Sequence, residues 1–178
     1  MLPQKQPNAW SCLPTAFAMV CDMPVEELIA KIGHDGSRER YAEPKPQIGF
    51  HIQEIIDALY HDYSITEIIE AQFDNGDIIM VQYKTLQQRI YDAMIHFSGV
   101  LWVTRDQEYG HALAWDHTQQ FLYDPKFGDN SDVPMTFKIL GFWIVEARSG
   151  SKINDIHQGE TTTPSNGCRN IGASPICP

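Results

Sequence analysis

Gln6-Pro-Asn-Ala-Trp-Ser-Cys12-Leu-Pro-Thr-Ala-Phe-Ala-Met-Val20 places an amide, a thiol and the start of an apolar helix within one short stretch. Serine is favoured just before a helix, and Pro14 is tolerated only in a first turn, where its missing N–H loses no partner. The spacing predicts a helix that begins at Ser11 or Cys12 and stops near Asp22, ahead of Pro24. The Cys12 thiol then stands at a helix N-terminus, where unpaired N–H groups and the helix dipole favour a thiolate. A cysteine on an apolar helix is more commonly a small core residue, and Cys21, two turns further on, is read that way.

Working outward, a second helix is expected over Pro24 to Ile32, with Val25, Leu28, Ile29 and Ile32 on one face and Gly33 closing it. Residues 34–50 mix glycine, proline and charge and read as a long surface loop bordering a cleft. A third helix, His51 to about His61, carries a stripe of Ile52, Ile55, Ile56 and Leu59. Ser64 to Ala71 reads as a strand, Asp74 to Asp77 as a turn and Ile78 to Tyr83 as a short strand. Leu86, Ile90, Ala93, Met94 and Phe97 mark a helix across Lys84 to Phe97. Beyond Gly99 come strands over Val100–Thr104, His111–Trp115, Gln120–Tyr123 and Thr136–Ala147. Helices followed by strands, rather than alternating with them, predict an α+β fold with an antiparallel sheet.

With 178 residues, 43% of them apolar, the chain can bury one core, assigned to residues 1–147. Residues 148–178 are rich in Ser, Thr, Gly, Asn and Pro and are expected to form an extended tail, loose or lying on a protein partner. The formal net charge of −10 disfavours nucleic acid and anionic membrane as partners; a basic or neutral peptide suits it better. No apolar run is long enough to span a bilayer and no secretory signal is evident, so a cytoplasmic setting is expected. Cys12 and Cys21 would lie about 13 Å apart along one helix, too far to bridge. Cys168 and Cys177 would pair only under oxidising conditions. No Cys-x-x-Cys pair or glycine-rich phosphate loop is present, and no cofactor is expected.

Downstream, Gly110-His111-Ala-Leu-Ala-Trp115 and Tyr123-Asp124-Pro125 complete a chemical set. His111 is the candidate base, its small neighbours Ala112 and Ala114 leaving room for a thiol and a substrate. If the two strands form a hairpin, His111 and Asp124 meet at its open end, where the carboxylate would orient the imidazole. Asp116 and Asp129 are weaker choices for that role, and an Asp-Pro turn also occurs without any catalysis. Gln6 would donate an amide N–H to an oxyanion, beside the Cys12 backbone N–H; Gln4 has the poorer spacing. Trp10 would wall the cleft or, the commoner fate, anchor its loop in the core. His117 reads as solvent-exposed, and His34, His51, His61, His96 and His157 stand in no motif. His111 and Asp124 lack a third ligand at useful spacing, so a metal site is not expected.

On these residues, Gln6, Cys12 with its helix, Gly110-His111-Ala-Leu-Ala and Tyr123-Asp124-Pro125, the chain resembles the papain-like cysteine peptidases of the C39-like group. These are the double-glycine-peptidase relatives of bacteria and phages, and the likeness spans about residues 4–147. It implies a helical part carrying the cysteine packed on a C-terminal antiparallel sheet carrying histidine and aspartate. It also implies Cys12 as nucleophile, His111 as base and acid, Asp124 as orienter and Gln6 as oxyanion donor. A stand-alone enzyme of the bacterial cytoplasm or of a phage particle, acting on a peptide or protein, would follow. Ser11-Cys12-Leu13 replaces the Asp-Cys-Gly of bacteriocin-processing members, so cleavage after a double glycine does not carry over. An amidase, deamidase or acyltransferase would use the same acylation step. A non-catalytic peptide-binding or structural component of a larger assembly is the reading from another class.

Overall fold

The computed structural model describes residues 1–37, 48–68, 85–104, 110–128 and 137–149. The expected turn at 74–77, the strand at 78–83, Asp129, His157, Cys168 and Cys177 lie outside the described residues.

The first helix, α1 (Cys12–Val20), is buried from Leu13 through Met19, because it is apolar on every side and can only sit at the centre. Helix α2 (Val25–Ile32) is amphipathic and closes at Gly33 in the left-handed conformation, φ 87°. Helix α3 (Ile52–Leu59) begins with a capping box. The His51 ring accepts the Gln53 N–H, and Glu54 reaches back to accept the His51 N–H. Helix α4 (Leu86–His96) starts with a second capping box, built by Thr85 and Gln88. Phe97, placed by its spacing on the α4 stripe, is extended at φ −132° and ends the helix.

Among the described residues five strands, β1 (Tyr63–Ile68), β2 (Gly99–Thr104), β3 (Gly110–Asp116), β4 (Phe121–Tyr123) and β5 (Lys138–Ala147), form one antiparallel sheet. Their spatial order is β1-β5-β2-β3-β4. The α+β class with an antiparallel sheet is thus the architecture observed.

The helices do not form one N-terminal layer, however. Helices α1, α2 and α3 cover one face, where Phe17, Leu28, Ile55 and Leu59 meet Val100, Ala112, Ala114 and Trp143. The other face carries α4, with Ile90 against Leu101, Val103, Leu113 and Phe142. The physical reason lies in β2, whose residues are buried on both faces apart from Trp102. A sheet apolar on both sides needs cover on both sides, and α4 provides the second.

Strand β3 pairs with β2 along its length, from Thr104↔Gly110 to Gly99↔Trp115. It pairs with β4 only from Ala114↔Tyr123 to Asp116↔Phe121. Past Tyr123 the chain leaves the ladder at Asp124–Pro125 and turns back, with the Phe127 and Gly128 N–H groups bonding to the Asp124 carbonyl at 3.1 and 2.9 Å. The open end of the hairpin therefore lies where α1 begins.

Candidate active site

The turn ahead of α1 is organised by Asn8, a residue that favours such turns because its side chain can bond nearby backbone. The Asn8 side-chain oxygen accepts the Trp10 N–H at 3.2 Å and, in a very short contact, the Ser11 hydroxyl. Ser11 consequently flanks the helix as its sequence suggests but directs its hydroxyl backward, and α1 has no side-chain cap. Pro14 has no N–H to offer, which leaves the Cys12 and Leu13 N–H groups at an open, positive helix end. Cys12 itself is half-buried, whereas the residue before it and the seven after it are buried.

His111 enters from β3. Gly110, just before it, has no room for a side chain: a Cβ there would run into the indole ring of Trp102. The His111 ring donates from Nε2 to Asp124 Oδ1 at 2.8 Å. The same oxygen accepts the Lys126 N–H at 2.8 Å. Cys12 lies close enough to the same imidazole to act on its electrostatics. With Nε2 taken by Asp124, Nδ1 is the ring atom left to face the sulfur.

Electrostatics follow from this arrangement. Burial works against the charged imidazolium, but the hydrogen bond to Asp124, the neighbouring Cys12 sulfur and the Asp124 charge outweigh it, raising His111 from 6.5 to about 9. Burial likewise works against the Asp124 carboxylate, which is only 5% exposed. The bonds from His111 and from the Lys126 N–H prevail and lower its pKa.

Gln6 is tied both to the turn after Asp124 and to the turn ahead of α1. Its backbone N–H donates to the Pro125 carbonyl at 2.7 Å, tying it to the turn after Asp124. Its side-chain Nε2 donates to the Asn8 carbonyl at 2.7 Å, the oxygen that the Ser11 hydroxyl also meets at 3.4 Å. One of the two amide hydrogens is thereby engaged and the other is left over, while Oε1 is buried without a partner. Turning the amide over would set two oxygens against each other at Asn8, so the orientation follows from the bonding.

Cys12, His111 and Asp124 are thus brought together, and Gln6 is bonded to the turns on either side of them. Others behave differently from their expectation. Trp10 is not a core anchor: it is 37% exposed and donates its indole N–H to the Asp35 carbonyl at 2.9 Å. Gly36 lies against its ring, and Gly49 lies against its backbone carbonyl and Cβ. His117 is half-buried rather than exposed, with Nδ1 2.9 Å from the Ser98 hydroxyl. His34, which has no motif, stacks on Phe50 and bonds Glu54 at 3.0 Å. Asp116, as its place in the sequence suggests, sits at the far end of the hairpin and accepts the Thr118 and Gln119 N–H groups. Among the described residues, no three His, Cys, Asp or Glu side chains cluster to hold a metal ion. Nor is any helix there long and apolar enough to cross a membrane.

Asn8 and Lys126 escaped the sequence reading. Asn8, three residues before Ser11, carried a signal in its turn-forming chemistry; Lys126 acts through its backbone and had none.

The fold and the site define a class: an α+β chain in which a helix-start cysteine meets a histidine–aspartate pair on a hairpin. No protein family, no curated protein and no solved structure is matched by the chain.

Proposed function

We propose that the chain is a cysteine peptidase that hydrolyses a peptide or isopeptide bond through a thioester on Cys12. The observation that carries this reading is the placement of His111 between the Asp124 carboxylate, at 2.8 Å, and the thiol at the uncapped start of α1. An imidazole raised to about 9 holds its proton at neutral pH and so favours an adjacent thiolate.

The thiolate attacks the substrate carbonyl carbon, the C–S bond forms, and the carbonyl oxygen becomes an oxyanion. The Cys12 N–H at the helix end and the spare Gln6 amide hydrogen receive that charge. His111 gives its proton to the departing amine as the C–N bond breaks. Water, deprotonated by His111, then attacks the thioester and releases the acid with the thiol restored. Asp124 keeps the ring in position and stabilises its charged form throughout.

An amidase, deamidase or acyltransferase would share the first half of this sequence and differ in leaving group or acceptor. The resemblance to bacterial and phage enzymes points to that setting, with a peptide or protein as the substrate.

Iodoacetamide and a peptide with an electrophilic carbonyl should both label Cys12 far faster than Cys21 near neutral pH. Burial holds the Cys21 thiol up at about 12, so it supplies an internal control. Cys12→Ala should keep the fold and lower turnover at least about 10⁴-fold. Turnover retained in that variant removes Cys12 as nucleophile.

A further inference from the structure

The segment before α1 is a strap rather than a loose end. The Leu2 N–H bonds to the Met19 carbonyl at 3.3 Å. Gln4 is bonded at both ends of its amide: Nε2 donates to the Met23 carbonyl at 2.7 Å, and Oε1 accepts the Val25 N–H at 2.7 Å. Its amide thus joins the strap to the turn between α1 and α2. Two residues on, the Gln6 N–H bonds to Pro125. Between these anchors Lys5 lies flat on Gly128. A Cβ on Gly128 would come within 2.9 Å of the Lys5 nitrogen and Cβ and 3.1 Å of its Cα. Gly128 also has φ +75°, a conformation that glycine adopts without strain. The strap can lie this close only because position 128 carries no side chain.

We propose that Gly128 and Gln4 are positioning residues that act through Gln6. Gln4 fixes the strap at one end and Gly128 lets it seat at the other, and together they hold the Gln6 amide beside the start of α1. Neither touches the thiol or the imidazole. Their effect is on the oxyanion and not on the thiolate. The inference rests on the thiol acyl-transfer reading.

Two reactions of the full-length chain separate these effects. Alkylation by iodoacetamide forms the Cys12 C–S bond as iodide leaves; no carbonyl is attacked and no oxyanion appears, so its rate reads the thiolate alone. Acylation by a 4-nitrophenyl ester of an N-acylated amino acid forms the thioester through a tetrahedral oxyanion and expels 4-nitrophenolate, so its burst rate reads the donors as well. Gly128→Ala and Gln4→Met should each slow acylation by roughly 10- to 100-fold, short of losing a donor outright. Alkylation should stay within about twofold of the parent, since the thiolate keeps its helix-end and imidazolium partners. Adding Gly128→Ala to Gln6→Ala should slow acylation no further than Gln6→Ala alone.

Unchanged acylation in Gly128→Ala and Gln4→Met, parallel losses in both reactions, or losses that multiply with Gln6→Ala each overturn the inference. If Gly128→Ala fails to fold, Gln4→Met, which leaves the 124–128 turn untouched, decides alone. A parent protein whose Cys12 reacts no faster than a free thiol overturns the peptidase reading itself, which is a different result from a reactive parent with unaffected variants.

Discussion

Asp124 receives two hydrogen bonds on one oxygen, from the His111 ring and the Lys126 backbone, each at 2.8 Å. An amide in its place would still accept both, but without the charge that favours the imidazolium. Asp124→Asn is therefore expected to bring His111 down from about 9 toward 6.5, with the ring held only by the remaining bonds. Following the ring protons of His111 by NMR through a pH titration measures this directly, and a midpoint unmoved in the variant would remove Asp124 as the cause. Activity should fall by as much as about 10⁴-fold, the loss expected when the carboxylate that holds the tautomer of a catalytic histidine becomes an amide. Cys12, His111 and Asp124 were legible because each sits in a local context with its own chemistry: a helix start, a small-residue strand, a strand ending in proline. His34 with Glu54 and Ser98 with His117 were not, since their partners stand 20 and 19 residues away. Nothing in the sequence near either histidine announces such a partner.

Elements carry a different kind of constraint. Strand β3 delivers His111 by way of Gly110, over which the Trp102 ring lies, and Trp102 in turn rests against Trp143, with ring centroids 6.1 Å apart. Gly110→Ala must displace that ring from a packed cluster, which is expected to cost about 1–3 kcal/mol. Trp102→Leu in the same chain should recover part of the loss by making room. Urea midpoints of the two variants and the parent test this; equal midpoints for Gly110→Ala and the parent would show that the indole moves aside freely. The helices and strands were legible from periodicity, and the described elements agree with it to within a few residues at their ends. Which face each helix takes was not. The stripe of α4 says that it packs, and only the two-sided burial of β2 says that it packs opposite α1. The pairing of β1 with β5, Tyr63 against Ala147, joins segments 84 residues apart and has no local signature either.

At the scale of the whole molecule, the partly buried His111–Asp124 pair makes stability depend on pH in a definite way. His111 is raised from 6.5 in the unfolded chain to about 9 in the folded one, so folding takes up a proton between those values. Its contribution is complete below about pH 6.5 and disappears as the pH climbs through about 9. Asp124 has the opposite sign: its pKa falls below the unfolded 3.8, so its contribution is complete above that value and is lost as the pH drops through the lowered one. Together the pair supports the fold most between about pH 4 and 6.5. The net charge of −10 adds self-repulsion that grows as the pH rises, steepening the alkaline side for the whole chain. The two contributions can be separated, because repulsion spread over the surface is screened by salt whereas a partly buried pair is screened much less. Urea midpoints measured from pH 4 to 10 in 0.5 M salt should therefore still decline above pH 6.5 in the parent. In His111→Gln, which removes the titrating ring, the difference from the parent should shrink steadily across that range and level off past about pH 9. A difference that stays constant with pH would mean that the imidazole carries no extra proton in the folded chain, and the charged thiol–imidazole–carboxylate arrangement would fall with it.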